Sequence, residues 1–220
     1  MALTKFNYNS FDVTPVASKA LAFNSSADGF TTAAEGSRVL IKTLTASSSG
    51  TLSFVDGTDD VVLDNTYPTY LFKFINLHPA TNDYHFMINF SADTGSNYNV
   101  TKTTTYFRAR HKEDDATAEL GYSTGFDVAQ STGDACIYDS VSTENDGSWS
   151  GELFLFNPSS TTFVKHFMSR IQGMSASPLS NDVYAAGYCN TTSAVDGVKF
   201  LVNSGNIDAG TFKLYGIKDS

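Results

Sequence analysis

The sequence predicts an all-β chain: an antiparallel β-sandwich, jelly-roll-like, with an extended N-terminal arm. Three observations carry that expectation. Runs of β-branched and aromatic residues recur about every 8–12 residues with Gly, Pro, Asn and Asp between them, the spacing of sandwiches and barrels. Apolar residues at the 3.6-residue period of a helix are almost absent. The stretch Trp149 to Met168, W-S-G-E-L-F-L-F-N-P-S-S-T-T-F-V-K-H-F-M, holds a strand that is apolar on both sides.

Residues 1–37 form the expected arm. They are rich in Ser, Thr, Asn and Ala, show no sustained period, and carry Phe6, Phe11, Phe23 and Phe30, rings that a solvated tail would hardly keep. Residues 38–220 form one β-sandwich domain. Strands are expected at Val39 to Thr45, Thr51 to Val55, Val61 to Leu63, Tyr70 to Leu77, His85 to Phe90 and Val100 to Arg110. Ser47 to Gly50, Asp56-Gly57, His78 to Asp83 and Asp93 to Asn97 punctuate them as turns. A polar stretch over 112–134 follows. Ala135 to Tyr138, the Trp149 to Met168 hairpin, Val183 to Tyr188, Val198 to Val202 and Thr211 to Ile217 complete the series.

Side chains alternate along a strand, so Glu152, Phe154 and Phe156 share one side and Leu153 and Leu155 the other. A strand apolar on both faces belongs inside a sandwich or against a second subunit, because a half-solvated one would show polar alternation. Pro158 donates no backbone hydrogen bond and its Asn and Ser neighbours favour turns, so Asn157 to Ser160 reverse the chain. Thr161 to Phe167 is expected as the return strand. Leu71, Phe72, Lys73, Phe74, Pro79 and His85 to Met87 echo Leu153 to Phe156, Pro158 and His166 to Met168. Gly50 to Phe54 likewise echoes Gly210 to Leu214. This nested order is the one a long hairpin takes when wrapped into a jelly roll, with first and last strands adjacent and middle ones meeting across the sandwich. Leu71, Phe72, Phe74, Leu153, Phe154, Leu155, Phe156, Phe163 and Phe167 are therefore the candidate assembly residues.

The formal net charge of −9 and the absence of a basic patch argue against nucleic acid as a partner. Lys102 and Arg108 to His111 are the densest cations, and Glu113 to Asp115 follow at once, as at a solvated strand end. A charged fraction of 17% is low and suits a chain that hides surface in an assembly. No run approaches the ~20 apolar residues of a membrane helix, and the first residues lack the apolar segment of a signal peptide, so the product is expected to be made in a cytoplasm. Cys136 and Cys189 are expected as free buried thiols.

No constellation carries catalytic chemistry, a metal or a cofactor. His78, His85, His111 and His166 fall in no zinc spacing, and the bland role for His85 and His166 is a bond to a backbone carbonyl in equivalent return strands. Asp56 to Asp60 lacks the alternation of a calcium loop. Asp127, Asp139, Glu144 and Glu152 supply carboxylates without showing the groove that a glycan hydrolase needs. Tyr67, Tyr70, Tyr84, Tyr98 and Trp149 are weighed as a sugar-stacking platform, with core or subunit seam as the commoner use of such rings.

Four stretches carry a resemblance: Tyr70 to Thr81 (Y-L-F-K-F-I-N-L-H-P-A-T), Gly95 to Thr105 (G-S-N-Y-N-V-T-K-T-T-T), Leu155 to His166 (L-F-N-P-S-S-T-T-F-V-K-H) and Gly210 to Lys218, together with Ala27 to Thr32 of the arm. They resemble virion structural proteins of marine tailed phages, of the cyanophage and pelagiphage type. The resemblance implies a non-enzymatic virion component made in the host cytoplasm. The expected role is an outer accessory, a capsid decoration or cement protein or the knob of a short fibre. It would assemble with itself as a homotrimer and with other virion proteins. The alternative is a fibre adhesin that binds a host surface glycan through the polar loops 112–134 and 139–150, since binding tends to sit on loops held by a rigid sheet.

Overall fold

A computed structural model describes residues 21–23, 26, 29–32 and 36–219. It is all-β, and the chain divides into two compact units, Met1–Ser37 and Arg38–Ser220. In the first unit β1 (Leu21–Phe23) pairs antiparallel with β2 (Phe30–Thr32), and Phe23 stacks on Phe30 at 5.2 Å. The described part of the expected extended arm is thus a short hairpin. Phe6 and Phe11 lie outside the described residues.

The second unit holds twelve strands: β3 (Arg38–Thr45), β4 (Thr51–Val55), β5 (Thr69–Pro79), β6 (Phe86–Ser91), β7 (Lys102–Lys112), β8 (Ala118–Tyr122), β9 (Ala135–Tyr138), β10 (Trp149–Phe156), β11 (Lys165–Met174), β12 (Leu179–Cys189), β13 (Gly197–Val202) and β14 (Ile207–Ile217). They form an eight-stranded sheet in the order β3-β14-β5-β10-β11-β12-β7-β8 and a four-stranded sheet in the order β4-β13-β6-β9, with antiparallel pairing throughout. The last strand lies beside the first of this unit.

The sheets face each other across an aromatic core. Phe54 and Phe200 of the small sheet meet Phe72 edge-on, and Phe86 and Phe200 meet Phe74, with centroids 5.1–5.4 Å apart. Edge-to-face geometry places each positive ring edge against a negative ring face. Close approach sets the small residues on the inner faces. A Cβ at Gly151 would sit 2.4 Å from the Arg170 carbonyl oxygen and 2.7 Å from the Ile171 Cα. Gly151→Ala is therefore expected to destabilise by at least about 1 kcal/mol through overpacking, read as a lower urea midpoint at unchanged slope.

Several elements differ from the sequence expectation. Val61 to Leu63 is not a strand. Asp56 Oδ1 accepts the Leu63 N–H at 2.8 Å and folds the segment onto the core as a turn, with Val61 and Leu63 buried. The return strand begins at Lys165 and not at Thr161, because Ser160 Oγ accepts the N–H groups of Thr162 and Phe163 and holds them in the turn. Asn157 enters that turn at φ 43°, a left-handed conformation that Asn tolerates. The two echoed segments are not one hairpin used twice. β10 and β11 pair directly, whereas β5 and β6 lie in different sheets because the chain crosses the sandwich between them. β5 and β10 are neighbours in the same sheet, with Phe72 opposite Leu153, and do not meet across the sandwich. The other echo also separates: β4 pairs with β13 and β14 with β3.

Candidate functional site

The nine candidate assembly residues sort by parity. Phe72, Phe74, Leu153, Leu155 and Phe167 point into the core and are at most 1% exposed. Leu71, Phe154 and Phe156 point the other way, onto the outer face of the large sheet. Phe163 stands apart at 71% exposure in the turn before β11.

The outer face carries a continuous apolar row. Ala186, Met168, Phe154, Leu71, Tyr215 and Leu40 are register partners in turn across β12, β11, β10, β5, β14 and β3. Leu71 is fully buried between its neighbours, yet Met168 is 56% and Leu40 51% exposed. Beside it runs a mixed row of Phe107, Tyr184, Arg170, Glu152 and Lys73. Tyr184 stacks on Phe107 at 4.9 Å and 2°, and the Arg170 guanidinium lies over the Tyr184 ring at 4.9 Å. Of the five aromatics weighed as a sugar platform, Tyr70 and Trp149 belong to the core.

Two buried polar clusters hold groups that no sequence motif brings together. In the first, Asp139 has no exposed surface. Its Oδ1 accepts the Tyr106 hydroxyl at 2.5 Å and Asn181 Nδ2 at 3.0 Å, while its Oδ2 pairs with Arg108 and accepts Ser140 Oγ at 3.4 Å. Burial, then Cys136 and Asp139, hold the Tyr106 hydroxyl far above its ordinary pKa. Arg108 also lies over the Phe126 ring at 5.2 Å, and His85 packs on the same ring at 4.9 Å. His85 Nδ1 accepts the Ser140 N–H, a different role from the exposed His166 on β11, so the two histidines are not equivalent.

In the second cluster Lys165, Cys189 and Lys102 are register partners across β11, β12 and β7, all facing inward and all buried. Lys102 Nζ donates to Asn89 Oδ1 at 2.7 Å and to the Val100 carbonyl at 3.1 Å. Burial lowers its pKa to about 8, and burial pushes the Cys189 thiol up to about 12 despite the two amines. One part of the expected solvated strand end is corrected here: Lys102 is fully buried at the start of β7, whereas His111, at the end that runs into Glu113 to Asp115, is exposed as expected. Both cysteines are free and buried.

Two of the other acids are tied to local partners. Glu152 pairs with Lys73 at 3.8 Å, and Asp127 accepts the Tyr122 hydroxyl at 2.5 Å. Among the described residues no group of three or more His, Cys, Asp and Glu side chains could hold a metal ion, and no helix is long and apolar enough to cross a membrane. Fold and outer face together define a two-sheet β protein whose most distinctive surface is an apolar cross-strand row. Comparison with protein-family models, curated proteins and solved structures found no match.

Proposed function

We propose that this chain is a non-enzymatic structural component of a phage virion, an outer accessory that acts by closing with copies of itself. The observation that supports self-association is the outer-face row from Ala186 to Leu40, which leaves Met168 and Leu40 half exposed on a sheet whose inner face is already filled. Exposed apolar patches of this continuity mark interaction surfaces, and closed rings are the usual way to satisfy them. The resemblance to marine phage virion proteins supports the particle as the setting. A threefold ring is the proposed closure, with β10 and β5 nearest the axis.

Light scattering on the purified chain at micromolar concentration is expected to give a mass that is a multiple of three chains of 23.7 kDa. Met168→Glu, which places a charge at the most exposed position of the row, is expected to remove the factor of three. An unchanged mass in that variant overturns the proposed ring. Labelling the protein in intact particles and imaging them tests the virion setting; label absent from purified particles overturns it.

A further inference from the structure

We infer that the outer edge of β8, which pairs with no other strand among the described residues, is a second self-association site, where β8 pairs antiparallel with β8 of another copy about a twofold axis through Leu120. β8 ends the eight-stranded sheet, and all five of its residues are exposed. The Lys112 N–H bonds the Thr117 carbonyl at 2.8 Å and the Ser123 N–H bonds the Tyr106 carbonyl at 2.9 Å. Those two bonds fix the parity of the β7–β8 ladder, since hydrogen-bonded and non-bonded pairs alternate in an antiparallel sheet. Glu119 and Gly121 therefore point their backbone groups at β7. Ala118, Leu120 and Tyr122 point theirs out of the sheet.

An unpaired strand edge is a template for another strand, and proteins ordinarily blunt it with charged side chains, lysine above all, with proline or with a bulge. β8 reads Ala-Glu-Leu-Gly-Tyr, without lysine or proline, its one charge is bound by Arg110, and it pairs with β7 in unbroken register. Its outer face is apolar. Leu120 is 75% and Tyr122 54% exposed, and Phe107 lies beside Tyr122.

The occupant is a second copy because the strand is complementary to itself. With Leu120 opposite Leu120 of the other copy, Tyr122 faces the small Ala118, and Glu119 faces the uncharged Gly121. No like charges meet, and the Glu119 carboxylate is already bound by Arg110. Leu120 falls at a position whose N–H and C=O both point outward, so the central pair exchanges both bonds. The opposite edge is less suited in the register centred on its exposed Leu40. Self-pairing of β3 about Leu40 sets Arg38 against Lys42, and like charges directly opposite destabilise a pair.

Twofold pairing at β8 doubles whatever assembly the outer-face row makes. If both contacts form, the closed assembly has six chains. Leu120→Pro removes the outward N–H while leaving the bonds of Glu119 and Gly121 to β7, and it is expected to halve the mass to three chains. Leu120→Lys, which keeps the backbone intact, gives the same halving should the proline variant fold poorly. Met168→Glu is expected to leave pairs, and combining it with Leu120→Lys to leave single chains. A mass unchanged by both Leu120 variants overturns the β8 pairing, whereas an unchanged mass in Met168→Glu alone overturns the ring, so the two failures are distinguishable. Amide hydrogen exchange gives a direct reading. Ala118, Leu120 and Tyr122 are expected to be protected in the assembled wild type and to exchange at least tenfold faster in Leu120→Lys; equally fast exchange in both overturns the pairing.

Discussion

Replacing Asp139 by alanine is expected to destabilise the folded chain by about 3–5 kcal/mol, the range for breaking a buried ion pair from one side. The mutation leaves the Arg108 guanidinium facing a cavity without its counter-charge and removes the acceptor of both the Tyr106 hydroxyl and Asn181 Nδ2. Each of those donors sits on the inner face of the large sheet, on β7 or β12, while Asp139 directly follows the edge strand β9 of the small one. The carboxylate thus fastens one sheet to the other at the β9 edge of the core, beside the buried rings of Tyr106 and Tyr138. Asp139→Asn retains an acceptor and loses the charge, so its effect should be smaller than that of alanine. Arg108→Ala combined with Asp139→Ala should lose less than the sum of the single changes, because the second removes a charge that the first has stranded. Urea denaturation at one fixed protein concentration measures the wild type and all four variants. A loss below about 1 kcal/mol in Asp139→Ala would show that the cluster is not holding the sheets together.

The strands legible in the sequence are short β-branched or apolar runs closed off by turn residues, whether they alternate, as β4 does, or are buried throughout, as β9 is. β4 and β9 fall on the expected residues, and β3 and β13 start one residue early. β8 was hidden because Ala-Glu-Leu-Gly-Tyr lies in a polar stretch and covers no core, so it sends no burial signal. The crossing between β5 and β6 was hidden for another reason. A segment of a few turn residues suits a hairpin within one sheet as well as a passage between two, and the choice is made by Phe86 packing on Phe74 from the opposite layer. Parity identified the two faces of β10, but it could not say that Leu71 and Tyr215 would complete the outer row, since register between distant strands is written in no local pattern. Asp139 draws its partners from positions 106, 108 and 181, each unremarkable in its own segment. Lys102 was the most misleading residue: lysine signals solvent, and nothing nearby in sequence shows Asn89 in place to accept its hydrogen bond.

Lys102→Met is expected to stabilise the chain at pH 7 by about 1–3 kcal/mol, and that advantage should disappear at high pH. The amine has a pKa of about 8 when folded against 10.5 for a free lysine, with burial as the first cause. A tenfold change in proton affinity corresponds to about 1.4 kcal/mol, so holding the ammonium in the core costs about 3 kcal/mol below pH 8, where folded and unfolded chains are both protonated. Between pH 8 and 10.5 the unfolded chain binds the proton and the folded one does not, so wild-type stability gains from this group as pH rises. Above 10.5 neither state is charged and the penalty is gone. Methionine removes the charge at every pH and fills similar space. It forfeits the bonds to Asn89 Oδ1 and the Val100 carbonyl, worth about 1 kcal/mol each at most, and Asn89 Oδ1 keeps the Phe90 N–H at 2.9 Å. The buried cysteines act in the opposite sense: a thiol held neutral in the fold lowers stability once the unfolded thiol ionises above about pH 9. Lys102 lowers the pKa of its register partner Cys189, so the two proteins are compared in a Cys189→Ala background, which isolates the amine. Urea midpoints taken from pH 6 to 11 should converge through the 8–10.5 window. A difference that stays constant with pH would mean that Lys102 is solvated in the folded chain, and a less stable variant at pH 7 would mean that its two hydrogen bonds outweigh the burial of its charge.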